Sequence, residues 1–281
     1  MQRKDIEIRT LTTYKEMLDT ESLHRRVWRY PEPYSAKILL TISQTGGHII
    51  GAYLKDKLVG FSFTLLAKDK KGLYLRSQLL MVLKEYRGKN IGLLLRMAQR
   101  DYAKKRGMDR IEWTFDPLQA KLGYFYIRKL GAIVKRYNPR LYDRLEDNSH
   151  RSISNDRFYA EWYLDSERVL SRINRNFSLE REMTSEIDRE KIVNNVTLSK
   201  EGMPLIIDYN LNMRDQDILI EIPKRLDMIL KDTDILSKWR SDTKEIFDTY
   251  INKNKYSIVD FITSPHKRSF YLLNLQPEEE R

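Results

Sequence analysis

The stretch from Tyr74 to Phe115 constrains the fold more than any other part of the chain. It opens on a strand whose end, Leu79-Leu80-Met81-Val82-Leu83, is apolar without interruption, and a strand with no polar face is covered by protein on both sides. A turn with two glycines, Glu85 to Gly92, leads into a helix predicted over Ile91 to Arg106. Ile91, Leu94, Leu95, Ala98 and Tyr102 repeat at helical spacing there, and Gly107 ends the pattern. Ile111 to Phe115 reads as a second strand. A strand–helix–strand unit of this kind makes its strands parallel neighbours in one sheet.

The flanking segments extend that sheet. Ile6 to Arg9 alternates as an opening strand, and Thr12 or Thr13 can cap a helix to about Trp28, with Glu16 placed for a capping box. Arg29 to Tyr34, with two prolines, breaks that helix and reads as a rigid exposed loop. His48 to Leu54 and Lys57 to Leu66 form a hairpin turning at Lys55-Asp56. After Asp116-Pro117 a helix over Gln119 to Lys129 ends at Gly131, and strands fit Ala132 to Tyr137 and Phe158 to Leu164. Further strands are expected at Leu205 to Tyr209, Ile218 to Ile222, Tyr256 to Thr263 and Ser269 to Leu275, with a long helix from Ile235 to Asn252. The pattern restarts near Ser166, so the domains expected are 1–166 and an α+β subdomain over 167–281.

Composition narrows the function classes. There is no cysteine, which excludes disulfides and thiolate metal sites, and the four histidines lack ligand spacing, so no metal is expected. No apolar run reaches the ~18 residues of a membrane span. The N-terminus lacks a signal peptide's apolar core, which gives a cytoplasmic expectation. The 51 basic residues exceed the 40 acidic ones by 11, yet they are interleaved with acids along the whole chain. That pattern suits a polyanionic small ligand better than a nucleic-acid partner.

The turn itself fits such a ligand. A diphosphate needs several inward-pointing backbone N–H groups and the positive end of a helix dipole. Gly88 and Gly92 let the backbone approach closely, Asn90 tolerates positive φ, and Arg87 and Lys89 add charge at the mouth. An ordinary strand–helix turn would look similar, whereas a dinucleotide loop would need Gly-x-Gly-x-x-Gly, which is absent, as is Walker A.

Val82-Leu83-Lys84-Glu85-Tyr86-Arg87-Gly88-Lys89-Asn90-Ile91-Gly92 resembles the pyrophosphate loop of the GNAT superfamily of acyl-CoA-dependent N-acyltransferases. The family pattern is Arg/Gln-x-x-Gly-x-Gly/Ala. Arg87 and Gly92 match its ends, and Asn90 replaces its middle glycine. The element order and Lys129-Leu130-Gly131 agree with it. Arg110 to Gln119 is similar to a subgroup of predicted acetyltransferases with a C-terminal extension. The resemblance implies an α/β (α+β) GNAT fold, a mixed twisted central sheet flanked by helices, with a C-terminal α+β extension that could be a degenerate GNAT-like half, a lid or a homodimer surface.

It also implies an enzyme using acetyl-CoA or another acyl-CoA and a primary amine, a small-molecule or amino-acid-like acceptor. Leu80, Met81, Val82 and Leu83 would pair with the pantetheine arm, and Arg87, Gly88, Lys89, Asn90, Ile91 and Gly92 would hold the pyrophosphate. The thioester would lie near Met81 and Asp116. The family's acid is a tyrosine four residues before the Leu-Gly glycine, a place taken here by Ile127. Tyr126 and Tyr124 are the substitutes, provided the helix is rotated. Asp116 is the first choice of base, with capping of the next helix as its alternative role. Arg26, Trp28 and Tyr30 are the acceptor-binding candidates, beside His24 and Tyr34.

Overall fold

The structure is a computed structural model and describes residues 6–28, 32–141, 156–177, 187–264 and 268–275. The chain divides into two compact units, residues 1–113 and 114–281.

The first unit runs β1 (Ile6–Thr10), α1 (Tyr14–Val27), α2 (Ala36–Gln44), β2 (His48–Leu54), β3 (Lys57–Asp69), β4 (Gly72–Val82), α3 (Ile91–Lys105) and β5 (Arg110–Phe115), whose last two residues belong to the second unit. Its strands lie in the order β1-β2-β3-β4-β5. All neighbours are antiparallel except β4 and β5, which are parallel. The sheet buries both faces. Ile49, Phe61, Phe63, Leu79 and Met81 pack with Met17 and Leu23 of α1 and Leu39 of α2. Ile50, Ala52, Val59 and Val82 pack with Ile91 and Leu95 of α3. The two sets alternate along β2 and β4, while on β3 the extra residue Val59 shifts the register against β2, so the continuous apolar runs belong to a sheet covered on both sides. The predicted capping box holds α1: the Thr13 hydroxyl accepts from the Glu16 amide, and Glu16 accepts from the Thr13 amide at 2.9 Å. Ser35 caps α2, a helix absent from the sequence reading.

The second unit comprises α4 (Ala120–Gly123), β6 (Ile133–Asn138), β7 (Arg157–Tyr163), α5 (Glu167–Phe177), β8 (Asn194–Leu198), β9 (Pro204–Tyr209), β10 (Asp217–Ile222), α6 (Leu226–Ile229), α7 (Thr233–Phe247), β11 (Tyr256–Thr263) and β12 (Ser269–Leu275). Five strands form an antiparallel arrangement in the order β7-β6-β11-β12-β10, and β8 pairs with β9 apart from it. The boundary expected at 166/167 falls inside this unit. Residues on both sides of it share a core there, with the indole of Trp162 donating to Leu130 O and Phe158 packing on Phe247 and Tyr271. Both α4 and α7 run on into a π-helical turn, Tyr124–Lys129 and Asp248–Lys253. The single α-helix expected over 119–129 is therefore one α-turn followed by a π-turn.

Candidate active site

The residues expected to seat the cofactor lie around the end of β4. The parallel ladder between β4 and β5 comprises Leu75–Ile111 and Arg76–Glu112. At that end a chain of charges clamps the pair: Arg76 to Glu112 at 3.3 Å, Arg110 to Glu112 at 3.1 Å, and Arg110 to Asp69 at 2.6 Å. Both Arg110 and Glu112 are buried. Beyond Arg76 the register against β3 slips by one residue, from Thr64–Ser77 to Phe63–Leu79, which makes Gln78 a β-bulge. A bulge bends its strand. Leu79 to Val82 thus stay paired with β3 but lie past the β5 ladder, leaving a split edge at the residues assigned to the pantetheine arm.

Two of those four residues have prior commitments. The Leu83 amide donates to Val59 O at 2.9 Å, and the guanidinium Nε of Arg87 donates to Val82 O at 3.0 Å. Leu80 and Met81 make no such commitments to the turn. Close seating here depends on Gly60 of β3, where an added methyl would stand 2.9 Å from the Met81 carbonyl oxygen and 3.2 Å from Val82.

The loop then takes the form its chemistry asks for. A 3-10 turn, Lys84–Tyr86, carries the chain out, and Gly88 (φ +77°) and Asn90 (φ +60°) both adopt the left-handed region. Glycine and asparagine enter it at least cost. The space a Gly88 side chain would fill is open. Asn90 is the N-cap of α3, and its side chain makes no capping bond. The first amides of a helix have no intrahelical acceptor, so those of Ile91, Gly92 and Leu93 are presented beside the positive end of the α3 dipole. Arg87, Gly88, Lys89 and Asn90 are exposed. The ammoniums of Lys57 and Lys89 lie 5.5 and 5.2 Å from the Tyr86 ring, on a side chain packed into the core. These residues fit a diphosphate: open backbone donors, two exposed cations and no side chain over Gly88.

Among the residues expected to bind the acceptor, Arg26 at the end of α1 pairs with Glu85 of the 3-10 turn at 3.2 Å. Trp28 is exposed and meets the buried His24 edge-on, with ring centroids 5.5 Å apart. Tyr34 packs edge-on against Phe63. Tyr30 lies outside the described residues. Sequence reasoning passed over Glu85 as a partner of Arg26, and also Gln78 and Gly60. A lone glycine opposite an apolar strand end was the one available signal for the last.

The second unit holds the other predicted residues. Asp116 accepts both arms of the Arg240 guanidinium, at 2.6 Å on Oδ1 and 2.8 Å on Oδ2, and Oδ1 also accepts from the Leu118 amide at 2.9 Å. Its role in the structure is therefore turn cap and ion-pair partner. Arg240 also lies 3.6 Å from Asp156, which accepts the Tyr137 hydroxyl. Burial, with Asp156 alongside, drives that phenol far above the ordinary range. Tyr126 is buried with its ring against Phe115, while Tyr124 is half-buried, edge-on to Phe261 and beneath Lys129. Ile127 is fully buried and has no proton to give.

The surplus of basic residues is partly spent inside the fold. Arg76, Arg110, Arg128, Arg172, Arg240 and Arg268 all sit in ion pairs. Among the described residues no cluster of His, Asp and Glu is placed to hold a metal, and no helix is long and apolar enough to cross a membrane.

With a split strand end and an amide-lined loop at a helix N-terminus, the first unit has the parts of a coenzyme A seat. Residues 14–132 match the model of the Acetyltransferase (GNAT) family. The matched stretch takes in β4, the loop after it and α3.

Three solved structures are similar in fold. Naa50 of Arabidopsis thaliana, bound to a bisubstrate analogue, is 21% identical over 56% of this chain and 97% of its own, with a TM-score of 0.45. The ribosomal-protein-S18-alanine N-acetyltransferase of Escherichia coli is 16% identical over 57% of this chain and 95% of its own, at 0.47. The paia N-acetyltransferase of Thermoplasma acidophilum, in complex with coenzyme A, is 22% identical over 56% and 98%, at 0.42. No curated protein sequence matches the chain.

Proposed function

We propose that the protein transfers an acetyl or other acyl group from acyl-CoA to the primary amine of a small-molecule or amino-acid-like acceptor, by direct attack in a ternary complex. The observation that carries this reading is the loop from Arg87 to Gly92, with Gly88 and Asn90 both at positive φ ahead of α3. Leu80 and Met81 are the residues assigned to the pantetheine arm.

In the reaction the neutral amine nitrogen attacks the thioester carbonyl, a C–N bond forms and the C–S bond breaks. The ammonium proton must leave and the departing thiolate must gain one. Tyr126 is the better acid candidate. Counting back four residues from Gly131 through an α-helix reaches Ile127, but a π-turn contains one more residue, so the same place is reached at Tyr126. The hydrogen bond from the Leu130 amide to Phe125 O, five residues back, belongs to that wider turn. Asp116 is not assigned as base, because Arg240 and the Leu118 amide occupy both its oxygens. The amine proton is assigned to water. Arg26, held by Glu85, and the exposed Trp28 are the acceptor-side candidates.

The test is thiol release from acetyl-CoA and from succinyl-CoA against a panel of amines. Release that requires an amine is expected, together with acylated product by mass spectrometry. Tight CoA binding without release on any amine would leave the second reading, a non-catalytic acyl-CoA-binding protein, which Ile127 in place of the family's tyrosine favours.

A further inference from the structure

The second unit contains the same substructure twice. The two π-turns, Tyr124–Lys129 and Asp248–Lys253, begin and end 124 residues apart. Within them Tyr126, Ile127 and Lys129 recur as Tyr250, Ile251 and Lys253. Each turn is followed by a residue at positive φ, Gly131 at +79° and Lys255 at +63°, again 124 apart. Each then enters a strand, β6 or β11, that carries one extra residue against its partner. That residue is Lys135 opposite β7 and Val259 opposite β12, at the same offset. π-turns are rare features, and three irregularities at one constant offset mark residues 233–275 as a second copy of the helix–strand–strand segment 120–163.

The copies are joined as a symmetric dimer would be. β6 and β11 are antiparallel neighbours, and the residues paired between them are Val134 and Ile258, which are each other's counterparts. That pairing puts a local two-fold axis between the strands. In a two-fold interface, if position i contacts j, then j contacts i across the axis. The contacts follow this to within one residue. Arg128 reaches Asp260, whose counterpart is Arg136, at 2.5 Å. Asn252, the counterpart of Arg128, brackets the backbone of the adjacent Tyr137, accepting from its amide at 3.2 Å and donating to its carbonyl at 2.9 Å. Tyr250 is fully buried, with its hydroxyl donating to Asn210 O and accepting from the Met213 amide.

We propose that residues 233–275 act as a built-in partner. β11 occupies the β6 edge that a second copy of the chain would otherwise pair with, so the protein functions as a single chain. An unpaired strand edge is a template for another strand, and here Val134 and Ile258 are both fully buried at the covered edge. The inference is independent of the acyl-transfer reading.

Light scattering on the unmodified 281-residue chain should give one species at 33.7 kDa at every concentration tested. Because the chain has no cysteine, Val134→Cys, Ile258→Cys and the double variant give a second measurement. Opposed residues of an antiparallel pair lie about 4.5–5.5 Å apart, within disulfide reach. Mild oxidation should close an intramolecular disulfide in the double variant and leave both single variants reduced monomers, with melting temperatures near that of the unmodified chain. A native dimer, or a disulfide-linked dimer of folded Val134→Cys, would show the edge open to a second copy and overturn the proposal. So would a normally folded double variant that fails to bridge. The native mass needs no substitution and decides the matter even if the variants misfold.

Discussion

Loss of the Arg240 side chain should cost this protein heavily. It is 18% exposed, Asp116 is 16% exposed and Asp156 is 7% exposed. Arg240→Ala deletes two short bonds to Asp116 and the nearby charge that offsets Asp156. Removing one partner of a buried pair costs about 3–5 kcal/mol, since the remaining charge stays out of water. Against a typical domain stability of about 5–15 kcal/mol, roughly a fifth or more would be lost. Removing both charges in Asp116→Asn/Arg240→Met should recover the part of the loss that comes from Asp116, while Asp156, still accepting the Tyr137 hydroxyl, remains without Arg240 as a counter-charge. Urea unfolding of the full chain, followed by circular dichroism, measures all three. The same series separates the two roles of Asp116. If it is a structural partner, Asp116→Asn lowers stability but keeps acyl transfer per folded molecule within about tenfold, whereas loss of a general base costs about 10²–10⁴-fold. An Arg240→Ala cost below about 1 kcal/mol, the range of a solvated pair, would refute the reasoning and return Asp116 to the list of bases.

Three further outcomes are expected. Asn90→Gly should keep CoA affinity, as glycine tolerates φ +60°, while Asn90→Val should weaken binding by calorimetry through about 1–2 kcal/mol of backbone strain; equal affinities would mean that the left-handed turn is not what binds. Tyr126→Phe should lower kcat by about 10²-fold or more if Tyr126 is the acid; a kcat within about tenfold of the unmodified chain would exclude it. His48 is buried between the Tyr102 ring, stacked at 3.7 Å, and Thr10 Oγ1 at 2.9 Å, and burial, with Arg106 nearby, pushes its pKa down to about 4. The unfolded chain protonates this histidine below about pH 6.5 while the folded one refuses the proton until about pH 4, so roughly 3 kcal/mol of stability should drain away across that window and be fully present above it. An imidazole titrating near 6.5 by NMR would contradict this.

The strands and the loop were readable because local chemistry decides them. Alternation and turn residues mark His48–Leu54, Tyr256–Thr263 and Ser269–Leu275 to the residue. Asn90 could be given a positive φ because so few side chains tolerate one. α2 was hidden by its β-branched Ile38, Thr41 and Ile42, which are poor helix formers, and its formation owes more to Ala36 and Leu39 burying against the sheet. The partner of Asp116 lies 124 residues away, and nothing near either residue announces the other.

The π-turns are the deeper case, because a sequence carries no direct mark of one. A residue added to a helix reads as a longer helix, and every later position is then assigned to the wrong face. That is why counting four back from Gly131 meets Ile127 and not Tyr126. In the C-terminal copy the same added residue brings Tyr250 to the corresponding place, where its hydroxyl is spent on Asn210 and Met213. The turn is therefore not sufficient for chemistry. Two copies with the same irregular helix, one tyrosine tied down by protein and one against the Phe115 ring, are better explained by inheritance of the whole segment than by a catalytic demand acting at both places.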